Sequence, residues 1–124
     1  MFSKTNGFRH SSIELGVEAM KLLGAKTGVF NVTATEDDKA FEPDSLKKYD
    51  AVVFLNTTGE LFRPKDFKGT PEETKAMTER EDLLKKSLLD FVNSGKGVIG
   101  FHSATDTFAG WKDYHDMMGG VFGG

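Results

Sequence analysis

The sequence contains no cysteine, only 3 prolines and no long apolar run. Without cysteine there are no disulfides, thiolate metal ligands or cysteine nucleophile, although the compartment stays open because cysteine-free proteins occur in all of them. No uncharged stretch approaches the roughly 20 apolar residues of a membrane span, so no membrane partner is predicted. No basic region followed by an apolar stretch opens the sequence, so no signal peptide is predicted, and cytoplasmic and exported locations both remain possible.

A net positive charge is also lacking. Lys and Arg number 16 against 19 Asp and Glu, which gives a formal net charge of -3. Nucleic-acid binding needs a basic surface that neutralises phosphates, so no nucleic-acid partner is expected. The remaining composition, with 38% hydrophobic and 28% charged residues, is typical of a globular domain. A length of 124 residues fits one domain that forms a core without disulfides.

Two helices are predicted in the first half of the chain. Apolar residues at helical spacing predict a helix over residues 13–23. Ser11 and Glu14 have the spacing of a capping box, and Gly24 is placed to end the helix in a left-handed conformation. A second, short helix is predicted to begin near Pro43.

Two further helices are predicted in the second half. Thr70 and the following proline and glutamates combine an N-cap, a first-turn proline and a capping carboxylate. The helix runs on from there or restarts at Thr78, and an apolar stripe continues to Ser94, with Gly95 as the cap. Residues 111–118 form a last short helix. The polar segment 61–78 is longer than a usual connection, which suggests a flap beside a cleft.

Strands are predicted between these helices. Residues 29–35 alternate apolar and polar side chains, as in a half-buried strand, and residues 1–6 read as a strand or its end. Residues 51–55 and 97–101 are continuous apolar runs, which indicates strands buried on both faces. Alternation of strand and helix predicts an α/β fold with a parallel sheet and helices on both faces. The last residues, 119–124, carry four glycines and no closing element, so we expect the N-terminal part of a longer fold.

Polar segments that follow the predicted strands collect at one edge of the sheet. Ligands of open parallel sheets bind outside the carboxyl ends of the strands. Residues 3–12, 56–59 and 102–106 are all expected there. His10 and His102 follow different strands and are expected to approach each other at this edge.

His102 occupies the turn between a strand and a helix, the layout of a nucleophile elbow. It could serve as a general base or substrate-binding donor, or ligate a metal with His10, Asp106 or His115 as partners, or hold the elbow by a hydrogen bond. Ser103 beside it could act as a nucleophile, but adjacent residues rarely point at each other.

Other side chains at this edge have a binding and a structural interpretation. Arg9 and His10 could bind an anionic or polyhydroxylated ligand before the first helix, or Arg9 could pair with a carboxylate and His10 pack under the loop. Asn56 and Thr57 suit sugar hydroxyls but equally suit a loop that satisfies its own backbone. Asp106 could orient the elbow histidine or cap the next helix.

Two residues near this edge are expected to have ordinary structural roles. Trp111 could stack on a sugar ring, although a lone tryptophan is more often part of the core. Lys4 is predicted to be a solvated charge.

Four motifs in this chain resemble the ThuA-like family, named for trehalose utilisation. They span nearly the whole chain and occur in the family's order. The motifs are FSKTNGFRHSSI at 2–13, TED at 35–37, YDAVVFLNTTG at 49–59 and GKGVIGFHSATDT at 95–107.

The resemblance implies a flavodoxin-like three-layer sandwich of the class I glutamine-amidotransferase-like superfamily. The catalytic cysteine of that superfamily corresponds here to His102, so glutamine hydrolysis by that route is excluded. ThuA-like domains run to around 200 residues or more, so residues 1–124 would be the N-terminal part of one. The family context implies disaccharide or glycoside metabolism, with a small carbohydrate as partner and no cofactor indicated.

Three functions remain compatible with these observations. The first is an enzyme acting on a carbohydrate, with His102 and Asp106 as catalytic residues and Arg9, His10, Asn56, Thr57 and Ser103 binding substrate. The second is a non-catalytic carbohydrate-binding or regulatory module. The third is a metal-dependent hydrolase built on the two histidines. A conventional glycosidase is not indicated, because Asp106 has no convincing carboxylate partner.

Overall fold

Helices and strands alternate in the computed structural model, which describes residues 1–123. The elements are α1 (Ile13–Thr27), α2 (Pro43–Leu46), β1 (Ala51–Leu55), α3 (Pro71–Asn93), β2 (Gly97–Phe101) and α4 (Lys112–Met118). Two short 3-10 turns, Asp38–Phe41 and His102–Asp106, lie between them. None of the helices in this described part is long and apolar enough to cross a membrane.

The sheet is parallel and is centred on β1. β1 pairs with β2 in parallel, with Val53 opposite Ile99. On its other side β1 meets Phe2, which bridges in parallel to both Phe54 and Thr35. The order across the sheet is therefore Thr35, Phe2, β1 and β2. This arrangement confirms the predicted α/β class with a parallel sheet, and it is compatible with a flavodoxin-like fold.

The prediction of a strand over residues 29–35 is wrong. Within this segment only Thr35 forms a bridge in the sheet. Its N–H donates to the Met1 carbonyl at 3.0 Å, and its carbonyl accepts from the Ser3 N–H at 3.4 Å. Val29 at the start of the segment is exposed. The alternating pattern therefore marks a segment that reaches the sheet only at its end.

Helices cover both faces of β1, which gives three layers. Side chains alternate between the two faces of a strand, so Phe54 and Leu55 point in opposite directions. Phe54 belongs to the core cluster that includes Leu84 and Leu88 of α3. Leu55 lies against Gly16 of α1, where an added Cβ would be 3.0 Å from a leucine methyl carbon. Thus α1 covers one face of the strand and α3 covers the other.

Aromatic rings fill the core on the α3 face. Phe54 is fully buried and lies 5.8 Å from the Phe41 ring centroid and 5.4 Å from that of Tyr114. Phe62 and Phe108 extend this cluster, with centroids 4.8 Å apart. Six of the 11 phenylalanines of the sequence thus lie in this one core.

Helix α1 begins and ends differently from the prediction. Its N-cap is Ser12, without a capping side-chain hydrogen bond, because the Glu14 carboxylate accepts a hydrogen bond from Arg9 instead of closing a capping box. Its C-cap is Gly28, at φ 65°. Gly24 lies inside the helix, where the Phe30 carbonyl oxygen approaches within 2.6 Å of the position of an added Cβ. Gly24 permits close packing rather than ending the helix.

Helix α3 begins as predicted. The Thr70 hydroxyl accepts a hydrogen bond from the Glu73 N–H at 3.2 Å, and the Glu73 carboxylate accepts one from the Thr70 N–H at 2.9 Å. This reciprocal pair is a capping box, and Pro71 occupies the first turn. At the other end Ser94 is the C-cap, and Gly95 follows in a left-handed conformation at φ 98°.

The prediction that β2 is buried on both faces is wrong. Ile99 is 47% exposed and Phe101 is 41% exposed. Both lie on the α1 face of the sheet, since they stand opposite Val53 and Leu55. On that face α1 packs mainly against β1, and among the described strands β2 pairs with β1 alone. The apolar pattern of residues 97–101 correctly predicts a strand, but no described element covers the side chains of Ile99 and Phe101.

We expect this bare face to bind a hydrophobic dye. Anilinonaphthalene sulfonate should fluoresce with the folded protein, because contiguous exposed apolar groups bind it. The double variant Ile99→Thr/Phe101→Thr should reduce that fluorescence at least twofold, whereas the control Val29→Thr, at a residue that is 80% exposed, should leave it nearly unchanged. Equal fluorescence in all three folded proteins would contradict this view of β2.

Candidate functional site

The two strands end in residues with an unusual backbone conformation. Asn56 directly follows β1 with φ 50°, and His102 directly follows β2 with φ 49°. The left-handed region is uncommon for residues other than glycine, and such residues cluster at functional sites. The Asn56 N–H donates to the Phe101 carbonyl at 3.3 Å, which ties the two strand ends together. His102 is exposed at this elbow.

Three rings form a continuous surface beside the elbow. The His10 and His102 ring centroids are 4.6 Å apart, with their planes at 71°. The Phe8 ring lies 4.9 Å from His10 on its other side and is 71% exposed. We call Phe8, His10 and His102 the aromatic ledge. It confirms that the two histidines meet at the carboxyl edge of the sheet.

Sequence reasoning missed Phe8, because a phenylalanine carries no polar signal and is most often a core residue. The usable signal is its position in a polar turn, between Gly7 and Arg9, where no core pattern surrounds it. Thr58 holds this turn. Its hydroxyl donates to the Phe8 carbonyl at 2.8 Å, and its carbonyl accepts from the Asn6 N–H at 2.8 Å. The orientation of the ledge is thus fixed by the end of β1.

Asn56 and Thr57 are buried rather than open to a ligand. The Asn56 amide nitrogen donates to the Ser12 hydroxyl at 2.9 Å. Thr57 is fully buried, and its hydroxyl is hydrogen-bonded to that of Thr107 at 2.9 Å. These contacts join the β1 end to α1 and to the turn after β2. They match the interpretation in which the loop satisfies its own polar groups.

Arg9 pairs with two carboxylates. Its guanidinium nitrogens lie 2.8 Å from the Glu14 carboxylate and 2.6 Å from the Glu36 carboxylate. The hydrogen bonds to Glu14 and Glu36 raise the pKa of Arg9, and the hydrogen bond from Arg9 lowers the pKa of Glu14. All three side chains are exposed to solvent. Of the two roles proposed for Arg9 from the sequence, the structure shows the pairing with a carboxylate.

Ser103 and Asp106 lie in the turn that follows the elbow. The Ser103 hydroxyl oxygen is shielded from solvent and has no hydrogen-bond partner within residues 1–123. The Asp106 carbonyl accepts the Gly59 N–H at 2.8 Å, which links the turn to the β1 loop. The side chain of Asp106 is exposed and makes no hydrogen bond to His102 in the described part of the chain. The cap of α4 is Trp111, so Asp106 does not cap that helix.

Trp111 and Tyr114 belong to the core side of α4. The Trp111 ring centroid is 5.2 Å from Phe108 and 6.0 Å from Tyr114, which matches the core interpretation of the tryptophan. The Tyr114 hydroxyl donates to the Ala104 carbonyl at 2.7 Å. Burial raises the pKa of Tyr114 well above its ordinary value. This hydrogen bond fixes the turn that carries Ser103 from beneath.

No three His, Asp or Glu side chains of residues 1–123 are grouped so that they could hold a metal ion. His10 and His102 are in contact, but neither Asp106 nor His115 completes a ligand set with them. The geometry therefore offers two imidazoles to a ligand at this edge.

The prediction that Lys4 is a solvated charge is wrong. Its ammonium donates to the Leu61 carbonyl at 2.8 Å and the Arg63 carbonyl at 3.3 Å, and lies 3.8 Å from the Asp38 carboxylate. The neighbouring Asn6 amide also donates to the Arg63 carbonyl at 2.8 Å. The first part of the long connection after β1 is thus anchored to the end of the first extended segment.

Comparison with known proteins gives a family but no individual relative. No curated protein and no solved structure matches the chain. The model of the family ThuA, described as trehalose utilisation, matches residues 1–124. The match covers the whole length of the chain, including the β1 loop and the elbow. The chain therefore belongs to the ThuA family.

Proposed function

We propose that this chain binds and processes a neutral carbohydrate at the carboxyl edge of its sheet. The observation that carries the proposal is the aromatic ledge of Phe8, His10 and His102, with its 4.6 Å contact between the two histidines. A sugar ring has an apolar face of C–H groups, which packs on aromatic rings, and hydroxyls at its rim, which need donors and acceptors. The family's description as trehalose utilisation supports a carbohydrate over other ligands.

The ledge combines both kinds of contact. Phe8 supplies an exposed apolar ring. A neutral imidazole offers one donor and one acceptor nitrogen, so His10 and His102 match a hydroxyl, which both donates and accepts. The Ser103 hydroxyl follows His102 in the chain, but it is shielded from solvent and does not add to the ligand-facing surface. A small number of polar groups around an apolar surface is typical of ligand sites.

His102 is our candidate for the catalytic base. A neutral imidazole can accept a proton from a sugar hydroxyl or from water. Asp106 is exposed in the turn at the same edge of the sheet. A bound substrate could contact its carboxylate there. Two opposed carboxylates, which a conventional glycosidase requires, do not flank the ledge in the described residues. The reaction we propose therefore begins with proton abstraction by an imidazole.

A non-catalytic carbohydrate-binding module is the second candidate. It is favoured by the absence of a hydrogen-bonded acid partner for His102 within residues 1–123. Catalytic histidines are commonly oriented by such a partner. Under this candidate the ledge recognises the sugar and no turnover occurs.

A thermal-shift titration tests whether the ledge binds sugar. Trehalose and other disaccharides, with their keto derivatives, are titrated into the wild type, His102→Ala and the matched control His115→Ala, a histidine of α4 outside the ledge. A ligand at 100 times its dissociation constant should stabilise the wild type by about 2.7 kcal/mol. The shift should survive in His115→Ala and disappear in His102→Ala. No shift with any sugar, in folded wild type, contradicts carbohydrate binding.

Product analysis on the same sugars separates the two candidates. Under the catalytic candidate the wild type releases product, and His102→Ala lowers the rate at least 100-fold, in the range that removal of a general base costs. Binding without product in the wild type would support the non-catalytic module.

A further inference from the structure

A cavity of about 460 Å³ lies between α2 and the second half of α3. This volume is within the range of about 300–1,000 Å³ that ligand pockets commonly have. Its apolar lining comes from Pro43 and Leu46 of α2 and from Leu83 and Phe91 of α3. Leu46 and Phe91 belong to the buried core, whereas Leu83 is half exposed. The cavity is therefore an apolar depression that reaches from the surface to the core.

This cavity lies at the opposite edge of the sheet from the aromatic ledge. Lys96 lines it and directly precedes β2. The Lys96 ammonium donates to the carbonyls of Lys47 at 2.9 Å and Tyr49 at 2.5 Å, just before β1 begins. These residues mark the amino ends of both strands, whereas the ledge lies at their carboxyl ends. Because a strand rises about 3.3 Å per residue, the length of a strand separates the cavity from the ledge.

One buried polar side chain in the wall of the cavity has no protein partner. Ser87 lines the cavity and is only 7% exposed. Other helical hydroxyls bond to a carbonyl of the preceding turn, as Thr78 does to Thr74 at 3.0 Å and Ser94 to Phe91 at 2.6 Å. The Ser87 hydroxyl makes no such bond in the described part of the chain. Since buried polar groups normally have a partner, it is available to a ligand atom.

The charges in the lining leave one cation uncompensated. The Lys47 ammonium lies 3.0 Å from the Asp44 carboxylate, and the Lys86 ammonium lies 2.6 Å from that of Asp90. Lys96 has no carboxylate within ion-pair distance among residues 1–123, and its two hydrogen bonds go to neutral carbonyls. An ammonium has three donors, so one donor and the positive charge remain for a ligand.

We propose that this cavity binds an apolar carboxylate, a molecule with a hydrocarbon chain and a single carboxylate group. The Lys96 ammonium lies 5.2 Å from the centroid of the Phe91 ring, so a carboxylate bound to it keeps its chain on the apolar floor. Ser87, one helical turn before Phe91, supplies a second donor. A neutral sugar has no charge to match Lys96. The proposal therefore concerns a separate site and does not rest on the proposed function.

Isothermal titration calorimetry with octanoate, octanol and octylamine tests this site, because the three probes share one chain length and differ in charge. Octanoate should bind the wild type at least about tenfold more tightly than the other two, since a hydrogen bond to a charged group is among the strongest in proteins. Lys96→Met should reduce this preference to under threefold, and Ser87→Ala should weaken octanoate binding. The control Lys21→Met, at an exposed lysine of α1, should leave both unchanged.

Two further variants locate the hydrocarbon chain, because the bare face of β2 could also bind it. Leu83→Ser, at a half-exposed position, should weaken octanoate binding at least threefold without a folding defect. Ile99→Thr/Phe101→Thr should leave it unchanged. The reverse result would place octanoate on β2 and overturn the proposal. The proposal also fails if octanol or octylamine binds the wild type as tightly as octanoate, or if octanoate shows no saturable binding to the folded protein. If Lys96→Met does not fold, Ser87→Ala and Leu83→Ser decide the matter.

Discussion

Replacing Phe54 by alanine is expected to lower the free energy of unfolding by about 3–5 kcal/mol. The Phe54 ring is fully buried and contacts the rings of Phe2, Phe41 and Tyr114. Its removal leaves a cavity at the point where β1, α4 and the first extended segment meet. Because domains are stable by only about 5–15 kcal/mol in total, the melting temperature should fall by more than about 10 °C.

Phe101→Ala is the matched control for this prediction. It makes the same chemical change on the neighbouring strand, at a position that is 41% exposed. Less apolar area is withdrawn from water there, so the loss should stay below about 1.5 kcal/mol. Urea denaturation of both variants measures the difference. Similar losses in the two variants would mean that the core does not lie on the α3 face of the sheet.

Replacing Arg63 by methionine is expected to lower the free energy of unfolding by about 2–3 kcal/mol. The Glu81 side chain is only 8% exposed, and Arg63 binds its carboxylate through two guanidinium nitrogens. Without Arg63 the carboxylate remains buried and loses its partner. The cost stays below that of a fully enclosed pair, because water reaches the half-buried guanidinium.

A double-mutant cycle isolates this interaction. In Arg63→Met/Glu81→Leu the buried charge is removed along with its partner, so at least about 1 kcal/mol of the single-variant loss should be recovered. Denaturant unfolding of the wild type, both single variants and the double variant gives the coupling energy. Strictly additive losses would contradict the role of Arg63 in holding the connection after β1 onto α3.

The local signals of the sequence were sufficient where an element is set by its own residues. α3 begins at the predicted capping box of Thr70 and Glu73, and the apolar runs at 51–55 and 97–101 are strands. Parallel pairing followed from alternation of strand and helix. From that pairing came the expectation that His10 and His102 meet, which the 4.6 Å contact confirms.

Predictions failed where a partner distant in sequence decides the outcome. Glu14 has the right spacing to cap α1, but its carboxylate accepts a hydrogen bond from Arg9, which also binds Glu36. Lys4 has the pattern of a surface charge, yet carbonyls almost 60 residues away accept hydrogen bonds from its ammonium. Gly24 looked like a helix stop, but it accommodates Phe30. None of these contacts has a signature in local spacing.

The candidate site shows the same division. Its position at the carboxyl ends of the strands could be predicted from the fold class alone. The fold class does not predict which of its residues face a ligand and which build the turn. Asn56 and Thr57 have polar groups that suit a sugar, but these groups are hydrogen-bonded to Ser12 and Thr107. Phe8 gave no polar signal, yet it is 71% exposed in the ledge.

The central claim is that a carbohydrate binds at the carboxyl edge of the sheet, on the aromatic ledge. The most direct test is an NMR titration of ¹⁵N-labelled protein with a disaccharide that stabilises it in the thermal-shift titration, or with trehalose if none does. We predict saturable amide shifts concentrated in residues 7–10, 56–59 and 102–106, with α2 and the α2-facing side of α3 unchanged. Shifts confined to α2 and α3, or no saturable shifts up to the solubility of the sugar, would contradict the account.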